Sequence, residues 1–206
     1  MKSLKLALIL AVGVVFTQAW KVEISRVSED ETTSELFVFQ NGVERVVSGV
    51  EETIEIEQKE FSLRFFNRRY DAANDKFYSA QIAAFTDKLE LEKIRVGMEK
   101  SSLPCFEPGS GMAPSKNGRY ESLIFNNNGH HYTTYENAES KRLKLLDGTG
   151  DVLKLEFEVN SLFYNGKKVK MKAAKLKEFY IAFLIDGNLN GVIDDGELHK
   201  VTIKLK

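Results

Sequence analysis

Close to the C-terminus, oxygen-bearing side chains recur at alternate positions: Asp186, Asn188 and Asn190, followed by Gly191, Asp194 and Glu197. Carboxylates and amide carbonyls are hard donors, and a chain that spaces them two residues apart around a glycine turn can wrap them about one point. The chemistry open to such a set is the binding of a hard cation. The full segment, Asp186-Gly187-Asn188-Leu189-Asn190-Gly191-Val192-Ile193-Asp194-Asp195-Gly196-Glu197, meets the pattern D-x-[DN]-x-[DN]-G-x5-E at every specified position and has Ile at the eighth. From average residue usage, a chance match has an expectation on the order of 10⁻⁴ for a chain of this length, which makes accident a poor explanation.

On these residues the segment resembles the calcium-binding loop of EF-hand and dockerin-type proteins. The resemblance implies calcium as the ion and a ligand set in which Asp186, Asn188 and Asn190 offer side-chain oxygens. The backbone carbonyl of Val192 would follow, Asp194 would act directly or through water, and Glu197 would close the shell with both oxygens. Ile193 would point back and pack. Amides at two ligand positions make a less charged site than the strongest loops, which places the expected affinity in the ~10⁻⁴–10⁻³ M class of extracellular modules. A second candidate, Asp147-Gly148-Thr149-Gly150-Asp151, fails because Val152 stands where the glycine is required, and it reads as a plain turn.

The flanks that must hold this loop read as strands. Phe179-Tyr180-Ile181-Ala182-Phe183-Leu184-Ile185 is an unbroken apolar run before it, and Val201, Ile203 and Leu205 alternate with Thr202, Lys204 and Lys206 after it. A helical stripe through Leu176, Phe179, Tyr180, Phe183 and Leu184 is the competing reading. Strand, loop and strand in that order resemble the calcium loops in β-sandwich domains of bacterial surface proteins, and argue against a sensor, which needs paired loops and mobile helices. Period two dominates elsewhere too: Trp20, Val22 and Ile24; Ile54 and Ile56; Phe61, Leu63 and Phe65; Leu153, Leu155, Phe157 and Val159. Asn41-Gly42 and Asn165-Gly166 lie between such runs and predict hairpins, because both residues tolerate the positive φ of a type I′ turn. Residues 28–34 and 70–76 read as connections, and Thr86–Lys100 mixes the two periods. The expected fold is all-β, with sandwich-like antiparallel sheets. All three prolines (Pro104, Pro108, Pro114) fall in 103–118, either a long loop in one domain or a linker between β subdomains at 20–102 and 119–206; the length of the stretch favours the linker.

Residues 1–19 have the outline of a secretory signal peptide: Lys2 and Lys5, an apolar run from Leu6 to Phe16, and Thr17-Gln18-Ala19 before a cut at Trp20. The run falls well short of the ~20 residues that span a bilayer, so no membrane span is expected once it is removed. The expected location is secreted, periplasmic or cell-surface. The whole chain has 206 residues with a formal charge of −1, and removal of the two leader lysines makes the remainder more acidic. That balance argues against nucleic acid as a partner.

The other chemistry-bearing residues have bland readings beside the functional ones. Cys105 cannot pair internally, being the single cysteine, and fits a small buried hydrophobe. His130 and His131 would point to opposite faces of a strand, and His199 is distant in sequence. Lys167, Lys168, Lys170, Lys172, Lys175 and Lys177 form a stripe suited to an anionic polymer or to guarding an edge strand. In an aromatic stretch from Phe61 to Phe85, alternation sends Phe61 and Phe65 inward and leaves Phe66 and Tyr70 as candidate sugar-stacking rings. No G-x-S-x-G, phosphate-binding glycine loop or H-E-x-x-H is present, and nothing favours an enzyme. The expected function is a secreted calcium-binding β protein with a structural ion and a role in surface attachment or assembly, its partner a glycan or a cell-surface protein. A carbohydrate-binding module is the alternative, and a secreted hydrolase with two close carboxylates a third.

Overall fold

The computed structural model describes residues 35–106, 122–125, 132–133, 143–148, 150–164 and 167–206. The expected leader, the strand read at 20–25, residues 107–118, His130, His131 and the Asn165-Gly166 turn lie outside the described residues. Among the described residues no helix is long and apolar enough to cross a membrane.

The fold is all-β. Strands β1 (Leu36–Gln40) and β2 (Val43–Val47) make a hairpin at Asn41-Gly42, where φ is 55° and 79°, the pair of positive angles that a type I′ turn needs. Then come β3 (Glu51–Ile56), β4 (Phe61–Arg68) and β5 (Ala80–Phe85). The mixed-period stretch after β5 holds only a five-residue helix, α1 (Lys88–Glu92), capped by the Asp87 carboxylate accepting from the Leu89 N–H at 2.9 Å. Two 3₁₀ turns, Lys100–Ser102 and Pro104–Phe106, follow it. The remaining strands are β6 (Ser122–Phe125), β7 (Tyr132–Thr133), β8 (Lys144–Asp147), β9 (Val152–Val159), β10 (Ser161–Tyr164), β11 (Lys167–Lys170), β12 (Glu178–Ile185) and β13 (Leu198–Leu205).

They assemble into one sheet in the order β2-β1-β4-β9-β8 and another in the order β11-β10-β6-β5-β12-β13-β3, with β7 also paired to β5. Among the described residues pairing is antiparallel except between β3 and β13, which run parallel from Glu51↔Lys200 to Ile56↔Leu205. The expected division at 103–118 gives way here. β4 pairs with β9, β5 with β12 and β3 with β13, so chain from before and after that stretch shares both sheets, and Thr32–Lys206 is one compact unit. The strands on either side of that stretch do not form two separate hydrogen-bonded sets.

Alternation explains the first core. Leu63 and Phe65 of β4, Leu155 and Phe157 of β9, Ile54 and Ile56 of β3 and Val201 and Ile203 of β13 are all buried in one cluster between the sheets. Phe65 lies 4.9 Å from Phe183 and Phe61 lies 6.1 Å from Phe179, centroid to centroid, across the two sheets. The run Phe179–Ile185 is unbroken for a different reason. Its odd-numbered residues enter this first core, while Tyr180, Ala182 and Leu184 face a second one on the other side of the same sheet. Ala83, Phe85, Leu91, Ile94, Leu103, Phe106, Ile193 and Leu198 complete that second core, so α1 and the 3₁₀ turns act as its cover. A strand buried on both faces has no polar alternation to show.

Truncating Phe183, fully buried where the sheets meet, should cost about 3–5 kcal/mol in Phe183→Ala, read as a lower midpoint of a single urea transition. A loss below about 1 kcal/mol would mean that the two sheets do not depend on this ring.

Candidate metal centre

The loop occupies the bend between β12 and β13. The Ile185 N–H donates to the Glu197 carbonyl at 3.2 Å, which closes the hairpin ladder, so that Asp186 directly follows β12 and Glu197 directly precedes β13. Both are withdrawn from solvent, Asp186 at 4% exposure and Glu197 at 0%. Short side-chain to backbone bonds wind the chain between them. Asn188 Oδ1 accepts from the Asn190 N–H at 3.0 Å, and Asn190 Oδ1 accepts from the Val192 N–H at 2.7 Å. Two successive turns of this kind coil the backbone. The coil places Leu189 at φ 60° and Gly191 at φ 82°; glycine takes that angle freely, while leucine does so at a cost of about 1 kcal/mol.

The carboxylates divide their oxygens unevenly. Glu197 Oε1 accepts from the Gly187 N–H at 2.7 Å and Oε2 from the Asp194 N–H at 3.0 Å. Asp194 Oδ2 accepts from the side-chain amides of Asn188 and Asn190 at 2.7 and 2.8 Å. Asp186 Oδ2 accepts from the Gly191 N–H at 3.0 Å and lies 2.5 Å from the Lys100 ammonium, whereas Asp186 Oδ1 is buried with no hydrogen-bond partner. A buried carboxylate oxygen without a partner costs free energy that a donor or a cation would recover. Burial raises the pKa of Glu197 above the ordinary carboxylate value; the two backbone N–H bonds oppose the shift, and Asp186 and Asp194 add to it.

A strap from the second-core cover ties the loop down. The Gly97 N–H donates to the Ile193 carbonyl at 2.7 Å, the Ile193 N–H to the Met98 carbonyl at 2.9 Å, and the Lys100 N–H to the Gly191 carbonyl at 2.9 Å. Glu99 and Val192 form the bridge between the two segments, and the Ile193 side chain is fully buried among the cover residues. Residues 97–100, Lys100 above all, escape a reading of the sequence. They stand far from Asp186 along the chain and carry no motif.

All six expected positions, Asp186, Asn188, Asn190, Val192, Asp194 and Glu197, belong to this one bend. Their chemistry suits a hard cation: carboxylates and amide carbonyls, with a partnerless oxygen among them. Their arrangement is turned toward backbone N–H groups and Lys100, and among the described residues no group of three or more His, Cys, Asp or Glu side chains is gathered to hold a metal.

The other candidates sit apart from the bend. Cys105 lies in the second 3₁₀ turn against the second core, where burial pushes its thiol up to about 12 and suppresses the thiolate. Phe66 meets Phe37 edge-on at 6.1 Å, with the Lys154 ammonium 5.7 Å from its centroid. Tyr70 stacks on Phe77 at 4.2 Å and donates to Asp75 at 2.8 Å. Lys167, Lys168 and Lys170 are exposed on the edge strand β11, but the stripe stops there. The chain enters a 3₁₀ turn at Met171, which is buried, and Lys172 lies beyond the strand. His199, on β13, has its ring 6.3 Å from that of Phe183.

Because the fold favours uncharged Glu197, the stability drawn from that group is complete below the ordinary carboxylate pKa and is lost as pH rises through the raised one. In chelator, wild type should therefore gain stability relative to Glu197→Gln as pH falls from neutral toward 4.5, in urea melts at a series of pH values; a difference independent of pH would refute the shift. No family model and no curated protein matches the chain, so its functional reading rests on the loop and what surrounds it.

Proposed function

We propose that this is a calcium-binding β protein in which the ion is structural, held in the bend between β12 and β13. The observation that carries the reading is Asp186 Oδ1: a buried carboxylate oxygen with no partner, in a bend whose coil also contains the fully buried Glu197. Asp186, Asn188, Asn190, the Val192 carbonyl, Asp194 and Glu197 would supply the oxygens, and the bound ion would supply charge compensation rather than reaction chemistry. Each Asn carbonyl keeps a second lone pair beside the one given to a backbone N–H, so the turns that wind the loop do not consume its donors.

An ion at this place would join β12 to β13 and, through Ile193 and the 97–100 strap, both strands to the cover. Export, and a role in attachment or assembly through a glycan or a cell-surface protein, belong to the same proposal. Affinity in the millimolar range would serve where calcium is abundant.

Calcium at ten times its Kd should stabilise the protein by roughly 1–2 kcal/mol, seen as a higher melting temperature than in chelator, with a smaller response to magnesium. Glu197→Gln should lose the calcium response. Coincident melts of wild type in calcium and in chelator, with no calcium bound in equilibrium dialysis, would refute the proposal.

A further inference from the structure

The Lys100 ammonium lies 2.5 Å from Asp186 Oδ2, and the Lys100 backbone N–H is separately bonded to the Gly191 carbonyl. The residue therefore grips the loop twice, once by its backbone and once by its charge. Its side chain is only partly covered, at 23% exposure, whereas that of Asp186 is 4% exposed. Of the two Asp186 oxygens, one is shared between Gly191 and Lys100 and the other, Oδ1, has no partner. A divalent cation drawn to Oδ1 would meet a positive charge already seated on the same carboxylate. Two like charges on one buried carboxylate repel strongly, because little water lies between them to screen the field.

We infer that Lys100 is a built-in competitor for the calcium site: its ammonium holds Asp186 when the ion is absent and must swing away for the ion to bind. This rests on the calcium reading of the loop. The backbone bond to Gly191 does not involve the ammonium, so withdrawal needs only side-chain rotation toward solvent, and the strap stays in place. The ammonium thus lowers calcium affinity while sparing the ion-free protein an uncompensated buried carboxylate. Lys100 is a residue that sets affinity, not a ligand.

The test is calorimetric titration of calcium chloride into chelator-treated full chain, wild type against Lys100→Met, which keeps most of the aliphatic stem and removes the charge. Calcium should bind Lys100→Met about tenfold more tightly. The melting temperature of the variant should fall in chelator and match wild type in saturating calcium. A purely structural lysine would lower both melts equally and leave the affinity unchanged, and that result overturns the inference while the calcium reading stands. Weaker binding by the variant overturns it as well, since Lys100 would then be helping the ion. No binding by either protein overturns the calcium reading and the inference together. Binding by the variant alone upholds the competitor and confines the calcium reading to a loop freed of it. Should Lys100→Met fail to fold, Lys100→Gln gives the same affinity comparison with a neutral donor in place of the charge.

Discussion

One strand carries the demands of two cores. β12 must be apolar toward the first sheet, where Phe179, Ile181 and Phe183 pack, and equally apolar toward the cover, where Tyr180, Ala182 and Leu184 pack. It can satisfy both only by having neighbours on each edge to take its backbone groups, which β5 and β13 do from Glu178↔Lys204 through Ile185↔Ala80. The polar Asp186 follows directly on Ile185, so the bend begins while the chain is still shielded from water. The burial of that carboxylate is a consequence of where β12 ends.

The bend then resolves a conflict between burial and charge. A buried carboxylate must be bonded, paired or neutralised, and the loop bonds and pairs its carboxylates. Glu197 takes two backbone N–H groups, Asp194 takes two side-chain amides, and Asp186 takes one backbone N–H and an ammonium. The coil that brings these donors into reach strains Leu189. The strained Leu189 and the partnerless oxygen of Asp186 thus lie in the same bend, held there by the surrounding bonds.

Period two made the all-β class legible, because Ile54, Ile56, Leu63, Phe65, Leu155, Phe157, Val201 and Ile203 each bury one face of a strand. The hairpin at Asn41-Gly42 was legible from two residues whose backbones accept positive φ. The twelve-residue bend was legible from its spacing alone. The interleaving of the strands was not, since pairing between β4 and β9 or β3 and β13 joins residues far apart in sequence and has no local signature. Nor was the cover. Leu91 and Ile94 are buried while Leu89 and Val96 are exposed, a pattern set by a helix of five residues followed by irregular chain, too short for either period to establish itself. Lys100 was hidden for the same reason: its importance comes from the partner it reaches.

The cover is also where the loop matters most. A five-residue helix and two 3₁₀ turns have little stability of their own, so these residues hold their shape only through what they pack against and bond to. Burial of Leu91, Ile94, Leu103 and Phe106 supplies the packing, and the bend supplies backbone partners at Gly97, Met98 and Lys100 together with the buried side chain of Ile193. The first core lies on the far side of the β12 sheet and draws none of its residues from the loop. The bend is therefore in direct contact with the cover and not with the core between the sheets. Bracing of the bend by Lys100 acts chiefly as bracing of the irregular chain that closes the second core.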